Sequence, residues 1–258
     1  MRRITYLDGL RGVASVMVVL EHYVQAFSPR SGVLMQWFAN GEAAVHLFFL
    51  MSGLVLTPSF ERCPNEFLFS IMRRILRLGI PAFVAVLCAI IAVYLVPNSL
   101  LPAMDLAGSK VWPGLEPRGE YMRMLSDLSG LTILVGDQGT TLFGFLRSGL
   151  LAAIQGHGSN LPIWSLHVEF WGSILVIALV YFLKKMPKYY PAALVVVFMI
   201  CGNNVIILFP IGHILALWLR QPRYKQIVQN RVVSVISGAM VVLIVVFFLW
   251  KCHHLQVS

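Results

Sequence analysis

The chain has 258 residues, of which 58% are hydrophobic and only 12% are charged. Soluble globular domains contain about 45–50% apolar and about 25% charged residues, so this composition excludes an ordinary soluble enzyme, a disordered chain and a disulfide-stapled secreted module. The net charge of +9 is typical of a membrane protein with positive cytoplasmic loops, and we expect a lipid bilayer, not a nucleic acid, as its partner.

The apolar segments predict an all-α, polytopic membrane helix bundle that forms a single domain over residues 1–258. A spanning helix needs about 20 mostly apolar residues. The clear candidates are Leu7–Phe27, Glu42–Phe60, Leu78–Val96, Ile163–Leu183 and Val232–Trp250. The apolar stretch 190–219 is interrupted by Gly202, Asn203 and Asn204, which indicates a helical hairpin with two short legs. Short, tilted or re-entrant helices within 97–161 would bring the bundle to about 7–8 spans.

The basic residues fall in alternate connections, and this pattern orients the bundle. Groups of Lys and Arg precede the first span and follow the second span, the fourth span and the hairpin. Because positive loops stay in the cytoplasm, we expect a cytoplasmic N-terminus and an outer 97–161 segment. Asp8 and Arg11 interrupt the apolar core that a cleaved signal peptide would need, so the first span is predicted to be retained.

Ionisable side chains inside spanning segments are the first functional candidates, because each costs about 2.5–3.5 kcal/mol on insertion scales. Arg11 and His22 lie about three helical turns apart, so they share nearly one face of the first span at a separation of roughly 16 Å. Glu169 lies about two turns into the fourth span, at a depth similar to that of His22. A buried histidine beside a carboxylate forms a general base with an orienting acid.

Each of these candidates also has a purely structural interpretation. Arg11 fits a side chain that reaches back to the headgroups, and Asp8 fits an N-terminal cap or an ion-pair partner of Arg11. The three arginines at positions 73, 74 and 77 fit a positive-inside anchor. His46 and His167 fit helix packing.

Several stretches, which follow one another in the expected order along the chain, resemble motifs of the acyltransferase 3 family of integral membrane O-acyltransferases. Arg11 and His22 match its Arg-x10-His signature, within YLDGLRGVA and the following HY. Residues 44–53 (AVHLFFLMSG) are similar to its second-helix motif, 164–170 (WSLHVEF) to its Trp-Ser-Leu-x-x-Glu motif, and 209–216 to a helix with a Phe-x-x-Gly pattern. The family's cytoplasmic arginine motif is matched by Phe69, Arg73, Arg74, Arg77 and Pro81.

The resemblance implies an acyltransferase that moves groups other than amino-acyl groups, typically acetyl, from cytoplasmic acyl-CoA to a hydroxyl of a carbohydrate, lipid or small molecule. It assigns the anionic donor to the guanidinium groups of Arg11, Arg73, Arg74 and Arg77, which match phosphate oxygens bidentately. His22 would take the acceptor's proton or carry the acyl group, and Glu169 would orient it. Acyl-CoA is a substrate, so no permanently bound cofactor is expected, and the absence of Cys-x-x-Cys spacing predicts no zinc site.

Two departures from the family pattern matter. His46 stands where many members have Asp, and the chain is shorter than the usual member, so a C-terminally short domain is expected. The alternative is an inactive or transporter-like membrane protein that retains the fold and uses its intramembrane charges as a proton relay. Ser52 and Ser165 are alternative acyl carriers, although helix packing explains both.

Overall fold

A computed structural model of the chain describes residues 5–27, 40–62, 67–95, 102, 106, 128, 133–134, 164–202 and 204–221. These residues are helical or lie in turns and contain no strand, which confirms the all-α prediction for the part of the chain described. The helices are α1 (Thr5–Phe27), α2 (Gly41–Arg62), α3 (Phe67–Leu95), α4 (Trp164–Lys185), α5 (Tyr190–Cys201) and α6 (Leu208–Trp218).

The start of α2 is defined by side chains that satisfy its free backbone N–H groups. The Oδ1 atom of Asn40 accepts a hydrogen bond from the N–H of Ala43 at 2.9 Å, as an N-cap residue does. The carboxylate of Glu21, near the end of α1, accepts from the N–H of Gly41. The end of α1 therefore lies beside the start of α2, and the two helices run antiparallel.

The opposite end of α2 lies beside the ends of α4 and α6. The carboxylate of Glu61 pairs with Arg220, which follows α6, and its backbone oxygen accepts a hydrogen bond from the ammonium of Lys184 in α4. Helices α2, α4 and α6 therefore run in the same direction. Together these basic groups form what we call the basic end of the bundle: Arg62, Lys184, Lys185 and Arg220.

The predicted helical hairpin is confirmed by two short helices, α5 and α6, of 12 and 11 residues. The chain reverses after Cys201, where a short 3₁₀ turn, Val205–Ile207, precedes α6. The side chain of Asn204 caps this turn by accepting a hydrogen bond from the N–H of Ile206 at 3.1 Å. At about 1.5 Å per residue each leg is about 17 Å long, which is close to half of the roughly 30 Å hydrocarbon core.

Glycines bring α6 into direct backbone contact with α2. A Cβ atom at Gly212 would meet the backbone of Leu50 and Leu54, and one at Gly53 would meet the backbone of Phe209. Small residues at these points allow the helix axes to approach closely. The ring of Phe209 then fills the space between Phe49, whose ring centroid is 5.4 Å away, and Gly172 of α4. This buried aromatic group is the centre of the main core cluster.

A second core cluster joins α3 to α4 and includes part of the predicted outer segment. Leu78 and Ala82 of α3 pack with Phe170 of α4 and with Ile133. Two hydrogen bonds from α4 hold residues 133 and 134. His167 donates to the backbone oxygen of Ile133 at 3.0 Å, and the indole of Trp171 donates to the backbone oxygen of Leu134 at 2.9 Å. The packing interpretation of His167 is therefore confirmed.

The predicted third span, Leu78–Val96, lies as far as Leu95 within a longer helix, α3, which begins at Phe67. Apolar residues at helical spacing, among them Leu68 and Met72, continue the helix upstream of the predicted start. The three arginines at 73, 74 and 77 consequently lie inside a helix and not in the connection between two spans.

Two of the described helices, Gly41–Arg62 and Ser165–Lys185, are long and apolar enough to cross a membrane. The predicted total of seven or eight spans is therefore not confirmed. The predicted last span, 232–250, and most of 97–161 lie outside the described residues.

Candidate functional site

The most buried charged side chain of the described helices is Arg74, which is 8% exposed. Its Nε–H donates to the hydroxyl of Ser173 at 2.8 Å, and its Nη2 atom pairs with the carboxylate of Glu169. The Ser173 hydroxyl donates its own hydrogen to the backbone oxygen of Glu169 at 2.6 Å, so it can only accept from Arg74. Glu169 and Ser173 are four residues apart, which puts both on one face of α4 towards α3.

This ion pair lies well inside the bundle. Glu169 and Ser173 precede Lys185 by 16 and 12 residues, which corresponds to about 24 and 18 Å along α4. The guanidinium of Arg74 is therefore separated from the basic end by more than half of a roughly 30 Å hydrocarbon core. Arg74 lies alongside residues 169–173 of α4, and its predicted place at the cytoplasmic mouth stays a prediction.

Two other predicted donor-binding arginines surround Arg74. Arg77, one turn further along α3, and Arg11 of α1 both interact electrostatically with the Arg74 guanidinium. Arg73 is exposed, and its guanidinium lies 4.4 Å from the ring centroid of Phe69. Arg11, Arg74 and Arg77 thus form a cluster of guanidinium groups, and such a concentration of positive charge favours a bound anion.

The half-buried imidazole of His22 is held in one tautomer. Its Nδ1 atom lies 2.8 Å from the backbone oxygen of Val18. A carbonyl oxygen only accepts, so Nδ1 carries the hydrogen, and in the neutral ring Nε2 keeps the lone pair. His22 is therefore arranged as a base through Nε2.

The structure does not bring His22 and Glu169 into direct contact. No hydrogen bond or ion pair joins these two described side chains, and the carboxylate of Glu169 is paired with Arg74 instead. The assignment of His22 and Glu169 as catalytic residues stays a prediction.

A buried polar network that sequence reasoning missed connects α2, α5 and α6. Thr57 donates to the backbone oxygen of Gly53 at 2.8 Å, so its oxygen accepts from Nδ1–H of His213 at 2.9 Å. The Nε2 atom of His213 then accepts from the Tyr190 hydroxyl at 3.0 Å. Thr57 and His213 are fully buried. His213 falls within the Phe-x-x-Gly stretch, but no spacing signal connects it to Thr57 or Tyr190.

Metal-binding clusters are not found in the part of the chain that the structure describes: no three His, Cys, Asp or Glu side chains are grouped there. The arginines around Glu169 are instead suited to an anionic ligand, because guanidinium groups offer several N–H donors in a fixed planar fork. The candidate site therefore combines a cationic cluster inside the bundle with the imidazole of His22 near the far end of α1.

The comparisons with known proteins agree with the motifs. The model of the acyltransferase 3 family, an acyltransferase domain, matches residues 4–249. The match covers nearly the whole chain and includes every predicted site residue. No curated protein and no solved structure matches the chain.

Proposed function

The chain belongs to the acyltransferase 3 family, and we propose that it transfers an acyl group, in the first instance acetyl, from cytoplasmic acyl-CoA to a hydroxyl group. The proposed acceptor is a carbohydrate, a lipid or a small molecule. The observation that carries the proposal is the cluster of Arg11, Arg74 and Arg77, in which the buried Arg74 is held by Glu169, inside a helical acyltransferase domain.

The donor half of the proposed site consists of Arg11, Arg73, Arg74 and Arg77. Acyl-CoA carries several phosphate groups, and guanidinium groups bind phosphate oxygens through paired, charge-assisted hydrogen bonds. The burial of Arg74 supports this role, because a cation attracts an anion more strongly in the low-dielectric interior of a protein than in water.

The chemical half of the proposed site is His22. In the proposed step, Nε2 of His22 takes the proton from the acceptor hydroxyl, and the oxygen attacks the thioester carbon. A new C–O bond forms while the π electrons of the thioester carbonyl group move onto the carbonyl oxygen. These electrons then return, the C–S bond breaks, and the CoA sulfur leaves with the proton from His22. Glu169 completes the predicted site, and its pairing with Arg74 supports a place beside the donor.

The proposal is tested with membranes that contain the full chain and acetyl-CoA labelled in the acetyl group. We expect label in a lipid, carbohydrate or small-molecule fraction, released by mild alkali as an ester is, together with free CoA thiol. His22→Gln removes the base and should lower the rate by at least about 100-fold. Lys185→Gln, a change at an exposed residue of the basic end, is the control and should leave the rate unchanged.

Two results would contradict the proposal. Wild-type membranes that transfer no acyl group to any fraction would favour the inactive or transporter-like alternative. Full activity in His22→Gln would contradict the assignment of the base, even if transfer itself takes place.

A further inference from the structure

The guanidinium of Arg74 is fixed along one edge, and no hydrogen bond from the described residues occupies its other edge. An arginine offers five N–H donors in a rigid fork. Ser173 binds the Nε–H and Glu169 binds one Nη2–H, so one side edge of the fork is occupied. Among the described residues, no hydrogen bond to Nη1 is found. The end of the fork formed by Nη1 and Nη2 is the part that binds an oxyanion with two parallel bonds.

The surrounding charge makes an anion the natural ligand of that free edge. Arg11 and Arg77 interact with Arg74 as like charges, and the carboxylate of Glu169 pairs with Arg74. A phosphate group placed against Arg74 would lower the electrostatic energy of these three neighbouring guanidinium groups.

We infer that Glu169 and Ser173 are positioning residues for the acyl donor, which act by holding Arg74 so that its free edge binds a phosphate of acyl-CoA inside the bundle. The inference rests on the proposed function, because it specifies how the same site holds its donor. It differs from the role implied by the family resemblance, in which Glu169 orients the histidine base.

The contacts of Glu169 support this division. The guanidinium of Arg74 lies at the level of residues 169–173, and Arg11 of α1 is close enough to interact with it. His22 lies roughly 16 Å from Arg11 along α1. His22 is next to Glu21, which contacts the start of α2 at the end opposite the basic end. Glu169 is therefore tied to the arginine cluster, and the acyl arm of the donor would extend from that cluster towards His22.

The two roles of Glu169 predict different kinetic effects, which we would measure on the purified full chain in lipid nanodiscs. Equilibrium binding of CoA, which has the phosphates but no acyl group, reports on donor affinity alone. For Glu169→Gln we expect the Kd for CoA to rise about tenfold or more. The kcat at saturating acetyl-CoA should change less than about threefold, and its pH profile should keep its shape. Ser173→Ala should raise the same Kd by a smaller factor, and the control Lys185→Gln should not.

A loss of kcat in Glu169→Gln with a changed pH profile and an unchanged Kd for CoA would overturn the inference, because Glu169 would then act on the base. A double variant, Arg74→Met with Glu169→Met, removes both members of the ion pair at once and is expected to insert and fold. Although this variant folds, its Kd for CoA should be at least about tenfold higher than that of the wild type. Wild-type affinity in this variant would also overturn the inference.

The failure of the proposed function gives a different result. A wild-type protein that binds CoA but transfers no acyl group would contradict the proposed function and leave the binding test of Glu169 valid. Normal wild-type transfer combined with unchanged CoA affinity in Glu169→Gln and Ser173→Ala would contradict the inference alone.

Discussion

At the scale of single residues, the buried network of Thr57, His213 and Tyr190 shows how a polar chain is accommodated in an apolar core. Each hydrogen bond has a defined donor and acceptor: Tyr190 donates to His213, His213 donates to Thr57, and Thr57 donates to the backbone oxygen of Gly53. Because every member is satisfied, the network avoids the desolvation penalty of an unpaired polar group. It connects α5 to α2 through α6, and so fixes the hairpin against the bundle.

This arrangement predicts the effect of a small change at Thr57. Thr57→Val keeps the shape of the side chain but removes the oxygen that accepts from His213, which leaves a buried N–H unpaired. We expect the free energy of unfolding in detergent to fall by about 1–3 kcal/mol. Thr57→Ser is the matched control, since it retains the hydroxyl, and it should lose less. Equal stability of Thr57→Val and the wild type would show that the network contributes nothing.

Most of the charged residues of the site could be predicted from the sequence, but their hydrogen-bond and ion-pair partners could not. Arg74 and Glu169 stand out because charges inside apolar segments are rare and costly. Their pairing depends on the register of α3 against α4, which the positions of the apolar segments do not determine. Ser173 carried no signal, because a serine in an apolar helix is ordinarily a packing residue.

At the scale of secondary-structure elements, helices α2 and α6 are in direct backbone contact. Gly212 lies against the backbone of Leu50 and Leu54, and Gly53 lies against the backbone of Phe209. The Phe-x-x-Gly pattern thus has a packing explanation: Phe209 fills the core and Gly212, one turn later, gives the backbone room. The predicted hairpin could be recognised because Gly202 and its neighbours interrupt the apolar run; its close contact with α2 could not, because glycines elsewhere look the same in sequence.

The glycine contact predicts a difference between two identical substitutions. Gly212→Ala places a methyl group against main-chain atoms that cannot move aside, and we expect it to destabilise the protein by about 1–3 kcal/mol, as overpacking does. Gly79→Ala in α3 is the matched control, because a Cβ atom there meets nothing within 4 Å. It should be neutral or slightly stabilising, since Ala is the better helix former. Thermal unfolding of both variants in the same detergent measures the difference, and equal losses would contradict the packing argument.

At the scale of the whole molecule, the described helices define two ends. The end of α1 meets the start of α2, while the ends of α2, α4 and α6 meet at the basic end through Glu61, Lys184 and Arg220. This agrees with the alternation of basic groups in the sequence, because those three helices bring their Lys and Arg residues to one side. Arg74 departs from the pattern, and its ion pair with Glu169 gives the reason: a paired cation is held inside the bundle.

The orientation of these ends remains a prediction that cysteine labelling can test. With the native cysteines replaced, a single cysteine at Ser109 should react with a membrane-impermeant reagent in intact cells, because the outer segment is expected to face away from the cytoplasm. A single cysteine at Lys188, which is exposed just beyond the basic end, should react only after permeabilisation. Reaction of Lys188 and not of Ser109 in intact cells would reverse the orientation.

The half-length legs of the hairpin have a consequence for how the protein is made. A segment of 12 or 11 residues is too short to leave the translocon as an independent span. In addition, the backbone at its turn must be shielded from lipid by protein. We therefore expect α5 and α6 to integrate as one unit, and only after α2 and α4 have been synthesised and released into the bilayer beside each other. Ribosome-arrested chains long enough for α5, but not α6, to have left the ribosome should accordingly expose α5 to proteases.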